Sequence, residues 1–193
     1  MMKKHGLFIA ILAALSLTAF TVQELWILDR PHSELGFSIT HLGISDISGT
    51  FDDFEATIES SETDFSDAHV EAVIQVASIN TNNSYRDDHL KGPDFFEVER
   101  YPLITFKSKN VKRVGEGKFK LSGELTVKDI TKNVDMDMWY RGTVENPQNQ
   151  KTTAGIKLSG TIKRSDFNIG TKYPEAMLSE EVHLDINAEY QKK

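Results

Sequence analysis

The chain reads as an all-β domain, either a closed antiparallel barrel or a two-sheet sandwich. Three observations predict this. Four long segments alternate apolar and polar residues with period two, turn-forming residues separate them, and one interior stretch, Asn82 to Arg100, breaks the pattern. Alternation of that kind gives a strand one face for a core and one for water.

The first apolar stretch is not part of that pattern. Lys3 and Lys4 precede Leu7–Phe20, which is apolar apart from Ser16 and Thr18. A basic start followed by a short apolar run reads as a secretory signal peptide, residues 1–21, with cleavage between 19 and 23. The run is shorter than the ~20 residues a spanning helix needs. An uncleaved N-terminal anchor is the other reading. No cysteine follows, so lipoprotein-type acylation is excluded, and the exported product would be periplasmic or secreted with no stable membrane span.

The remaining 22–193 then form one domain. A short strand at Trp26–Leu28 opens it. Leu35, Phe37, Ile39 and His41 share one face of the next strand. Phe54, Ala56 and Ile58 share another, with Phe51 out of phase, which a bulge near Asp52–Asp53 would reconcile. Val70, Ala72, Ile74 and Val76 form a further strand, and Ile104 with Phe106 another. Then come the clearest cases. Phe119, Leu121, Gly123, Leu125 and Val127 alternate with polar residues, as do Val134, Met136, Met138 and Tyr140. Ala154, Ile156, Leu158, Gly160 and Ile162 repeat the rule, and so do Val182, Leu184, Ile186, Ala188 and Tyr190. Gly115-Glu116-Gly117 and Asn146-Pro147-Gln148-Asn149 mark hairpins. The interruption is read as a short helical segment around residues 83–97 crossing one end of the sheet, and a second helical piece fits 174–180.

Composition narrows the function. The chain has 193 residues, a formal net charge of −7 and no cysteine. Removing residues 1–21 takes away two lysines and no acids, leaving −9. Such a chain is a poor partner for nucleic acid, and it can hold no disulfide, thiolate-zinc site or iron–sulfur cluster. No nucleophile elbow, P-loop, dinucleotide fingerprint or H-E-x-x-H motif is present. A three-histidine metal site would require His32, His41 and His89 to converge, so no metal is expected. The Arg86-Asp87-Asp88-His89 cluster reads as a clamp holding the helix to the barrel end. Its competing reading is the polar site of an enzyme or redox accessory protein. Small inward residues (Ala72, Gly123, Ala154, Gly160, Ala188) beside adaptable Met136 and Met138 suggest a cavity. A tapered, fully packed barrel acting as an interaction module is the alternative.

The order of motifs carries a family likeness. Trp26 through His41, continuing to Gly43, Gly49 and Phe51, resembles the opening of the YceI-like family. Arg86-Asp87-Asp88-His89-Leu90, Asp94-Phe95-Phe96, Tyr101-Pro102 and Ile104-Thr105-Phe106 are similar to its second block. Gly123–Val127 with Thr131, then Arg164–Phe167 and Glu181-Val182, resemble the rest. Asp129, Asn133 and Asn168 depart from the family pattern at turns. The resemblance implies an extended, eight-stranded lipocalin-like barrel that is exported and binds a long amphiphile such as a polyisoprenoid or quinone tail, with no catalysis and no cofactor beyond that lipid. The lining carried over is Phe37, Ile39, Phe54, Ala72, Ile74, Phe106, Phe119, Leu121, Leu125, Met136, Met138, Ile156, Leu158, Leu184 and Ile186. By polarity alone, His32, His41, Arg86 and His89 are the candidates for its polar end. A homodimer through a barrel edge is a further expectation.

Overall fold

Strands with one apolar face bury it without leaving sticky edges by curling into a ring. The computed structural model, which describes residues 22–193, shows that solution. The signal-peptide reading falls outside the described residues. The strands are β1 (Glu24–Leu28), β2 (Glu34–His41), β3 (Ser45–Phe51), β4 (Phe54–Ser60), β5 (His69–Gln75), β6 (Ile79–Asn80) and β7 (Leu103–Gly115). They continue as β8 (Lys118–Val127), β9 (Ile130–Glu145), β10 (Thr152–Lys163) and β11 (Leu178–Lys192). One α-helix, α1 (Ser84–Lys91), lies between β6 and β7.

Eight of the strands close the barrel in the order β1-β4-β5-β7-β8-β9-β10-β11, with β11 returning to β1. All pairings are antiparallel. β11 is long enough to serve two partners. Its end pairs with β1, where Leu28 faces Tyr190, and its start pairs with β2, where Leu184 faces Phe37. β2 carries β3, and β3 carries the two-residue β6, so a three-stranded flap widens the barrel at one end. Residues 82–100, not sheet, cover that side.

Three corrections concern the connections. Asp52–Asp53 is a corner, not a bulge: β3 pairs with β2 and β6, whereas β4 pairs with β1 and β5. The chain changes sheet neighbours there, and a change of neighbours permits the change of phase at Phe51. The helix is also shorter than 83–97. Asn83 caps it by accepting the Arg86 backbone N–H at 3.1 Å, and Gly92-Pro93 ends it. Residues 174–180 form no helix: 174–177 make a turn, Leu178 N–H bonding to the Pro174 carbonyl at 3.1 Å, and 178–180 already belong to β11. The departures from the family pattern at Asp129 and Asn168 sit at positive φ, 60° and 53°. Asp and Asn are among the side chains that tolerate this region best.

The core has two centres. At the end closed by β1, Trp26, Phe65, Phe119, Leu121 and Met138 pack with Ala154 and Ile156. Phe65, Phe119, Leu121 and Ala154 are fully shielded, at 0% exposure. Phe65 comes from the β4–β5 connection and acts as a plug. Its ring meets Trp26 at 5.1 Å and Tyr140 at 5.3 Å, with its backbone at φ 62°. Asp67 ties that connection, accepting N–H bonds from Ser61 (3.0 Å) and Glu62 (3.2 Å) and the Ser60 and Ser61 hydroxyls. Desolvation pushes its carboxyl up, and these bonds together outweigh it, leaving it well below the usual carboxylate range. The second centre joins Phe51, Phe54, Ile74, Val76, Ile79, Ile104, Val127 and Phe167. Among the described residues no helix is long and apolar enough to cross a membrane.

Candidate functional site

The barrel is hollow, and both packed centres contribute residues to the wall of the hollow. A cavity of about 590 Å³ runs from the plugged end to an opening between α1 and the 169–178 loop. Its length follows from β11. Leu178, Val182, Leu184, Ile186, Ala188 and Tyr190 all face it. These positions run from one end of the strand to the other, so the cavity is a tunnel along β11, and Phe65, packed on Trp26 and Tyr140, stands beyond its Tyr190 end.

Most of the expected lining stands on its wall: Phe37, Ile39, Phe54, Ala72, Ile74, Phe106, Leu125, Met136, Leu158, Leu184 and Ile186. Four expected positions do not. Phe119, Leu121, Met138 and Ile156 face inward, as alternation requires, but belong to the packed centre beside Trp26 and Phe65. Phe65 and Trp26 fill the axis in front of them. Gly160 leaves no lumen either: a Cβ there would stand 3.1 Å from Met136 Cγ, so this glycine lets β10 approach β9.

The polar candidates separate into two places. His41, Arg86 and His89 lie on the cavity wall at the opening. His32 does not join them. It sits at the β1–β2 corner, exposed, its Nδ1 bonded to the Asp29 carboxylate at 3.0 Å. That hydrogen bond and the charge behind it raise the His32 pKa. Asp29, His32 and Glu189 bring three potential metal-ligand atoms within 4.8 Å of one another. Asp29 is already engaged by His32 and by the Gln191 amide at 2.7 Å, which ties this corner to β11.

The opening is built from bonds that the chain makes with itself. Arg86 gives its Nε–H to the Thr81 hydroxyl and an Nη2–H to the Thr81 carbonyl, each at 2.7 Å. Asp87 accepts the Thr81 N–H at 2.9 Å. No carboxylate among the described residues forms an ion pair with Arg86, which stands on the cavity wall. His89 Nε2 lies 3.3 Å from the Tyr173 hydroxyl, and Tyr173 stacks on Phe95 at 5.2 Å. Lys172 donates to Asp94 beside them, which holds the Asp94 carboxyl below its usual range and raises the lysine.

Sequence reasoning missed the residue that organises this rim. Arg164 is 2% exposed. Its guanidinium donates to five carbonyls, those of Ile169, Gly170, Tyr173, Leu178 and Ser179, at 2.6–3.2 Å, and pairs with Glu180 at 2.9 Å. One side chain thus fastens the whole 169–178 loop. Phe95 and Phe96 were also missed as lining. An aromatic pair within a charged segment was the available signal.

Known proteins share this architecture. The family profile described as a YceI-like domain matches residues 26–190. A UPF0312 protein of Staphylococcus aureus (strain USA300) is 37% identical over 166 residues, covering 84% of this chain and 94% of that protein. The crystal structure of a Campylobacter jejuni YceI protein is 30% identical, covers 100% of this chain and 99% of its own, and superposes with a TM-score of 0.73. A polyisoprenoid-binding domain from Saccharophagus degradans shares the fold at 18% identity and TM-score 0.66, covering 87% of this chain and 98% of that one.

Proposed function

Since the chain belongs to the YceI-like family, we propose that it is an exported carrier or sequestering protein that binds one long amphiphile, of polyisoprenoid or quinone-tail type, along the barrel interior. The observation that carries this is the blind apolar tunnel with polar side chains gathered at its mouth. An extended oily chain fits such a shape, and its polar head then stays near Arg86, His41 and His89. Burying one CH₂ contributes about 0.8 kcal/mol, so a five-carbon isoprene unit contributes up to about 4 kcal/mol. Association costs about 4–15 kcal/mol. Several units are needed before binding is useful, and the cavity is lined along most of β11. The Saccharophagus degradans domain, similar in fold alone, is named for polyisoprenoid binding.

The arrangement favours binding over catalysis. Arg86 and His89 spend their hydrogen bonds on Thr81 and Tyr173, groups that hold the rim together. Export accords with the signal-like residues 1–21. The deciding experiment is mass spectrometry of organic extracts from protein purified out of its native envelope. A stoichiometric lipid is expected. An Ala72→Trp variant, which puts an indole into the tunnel between β4 and β7, is expected to fold and to lose that lipid. Repeated empty extracts from native protein, together with no binding of long-chain quinone analogues, would sink the reading.

A further inference from the structure

Tyr190 does not fit a purely oily tunnel. It stands near the blind end of the cavity wall, opposite Leu28 of β1 and Ala154 of β10, and is 4% exposed. Its neighbours on that part of the wall are apolar: Ala56, Val70, Phe106, Leu158 and Ala188. No group among the described residues hydrogen-bonds its hydroxyl, and the other polar side chains of the wall lie at the mouth. Packing alone needs only the ring, which phenylalanine would supply.

We infer that the blind end is a hydrogen-bond donor subsite, in which the Tyr190 hydroxyl takes a neutral oxygen acceptor (a carbonyl, ether or hydroxyl) on the deeply inserted part of the cargo. This rests on the lipid-binding reading above. Tyr190 borders the cavity and its hydroxyl has no protein partner among the described residues, so an acceptor bound in the cavity would complete it. Water is a poor candidate, since an ordered buried water makes about three hydrogen bonds and this end offers one group. An anion is a poor candidate too, because no cation among the described residues faces this end. Burial pushes the phenol pKa up, so the group stays a donor throughout the physiological range. The cargo is thus a lipid with an oxygen acceptor on the part it inserts, which narrows the polyisoprenoid or quinone-tail class proposed above to members bearing such an oxygen.

The test compares two neutral probes of equal length, eicosane and its methyl ketone, each partitioned from phosphatidylcholine vesicles into wild type and Tyr190→Phe. Bound probe is quantified by mass spectrometry. The ketone should bind the variant roughly three- to tenfold more weakly, the effect of one net hydrogen bond, while eicosane stays within about twofold. The bound ketone's carbonyl stretch should move to lower frequency in wild type and not in the variant. Tyr190→Phe keeps the ring, so its melting temperature should not fall. If both probes shift together, or neither shifts, the subsite does not exist and the hydroxyl is only hydrated. If wild type takes up neither ketone, alkane nor quinone analogue, the lipid-binding reading itself fails and the subsite goes with it.

Discussion

At the blind end of the barrel, β1 closes a ring of eight strands, and Trp26, Phe65 and Phe119 meet across the axis. At the other end, β2, β3 and β6 enter the circumference and residues 82–100 cover the side, so the apolar residues pack along the wall, Phe37 on Phe51 at 5.6 Å, and do not meet across the axis. Phe119 and Phe37 both sit inward on strands with strict alternation. One has 0% exposure, and the other lines a void. The difference teaches that circumference and plugging, more than the hydrophobicity of the inward face, decide whether a small barrel is solid or hollow.

The contrast can be broken most strongly from the solid side. Phe65→Ala removes the plug and should cost about 3–5 kcal/mol of stability, the usual price of an aromatic core truncation, read from urea unfolding. It should also lengthen the tunnel, so probes longer than those held by wild type should bind. Arg164→Met tests the rim. It leaves five carbonyls and Glu180 without their partner and should cost about 3 kcal/mol. Arg164→Lys should rescue little, since an ammonium cannot reproduce the guanidinium fork. Wild-type stability in both variants would show the loop to be held by other contacts.

Smaller effects sharpen the comparison. Ile39→Ala, on the hollow wall, should cost about 1 kcal/mol or less in ligand-free protein, because much of its packing is already missing. A loss equal to that of Phe65→Ala would mean that the tunnel collapses when empty. The smallest signal is the pH dependence of the plug. Asp67 has a depressed folded-state pKa, so its contribution is present above the ordinary carboxylate pKa near 3.8 and is lost as pH falls through the lowered folded value. Unfolding midpoints measured through that acid range should drop less steeply in Asp67→Asn than in wild type.

Much of this was legible in the residues, for a physical reason. Alternation reports which way a side chain points, so β8 to β11 and their inward faces could be read directly. It does not report what stands opposite. Phe119, Leu121, Met138 and Ile156 were therefore assigned to a lumen that Phe65, arriving from a connection, fills. The phase change at Phe51 was visible, but its cause was a switch of sheet partners, which is a long-range fact. The helix was too long at 83–97 although Asn83 and Gly92-Pro93 marked its ends. Arg164 looked like any charged residue at a strand exit. Only the fold brings five carbonyls around it.

The plug also fixes the route of exchange. A passage with one door lets nothing travel through. Whatever enters last leaves first, and a bound chain must back out along its own track. Each carbon threaded past the mouth then adds to the barrier for leaving, so dwell time should lengthen steeply with tail length while the rate of entry barely changes. A population of tails of mixed length would sort itself by patience, the longest remaining aboard after the rest have gone.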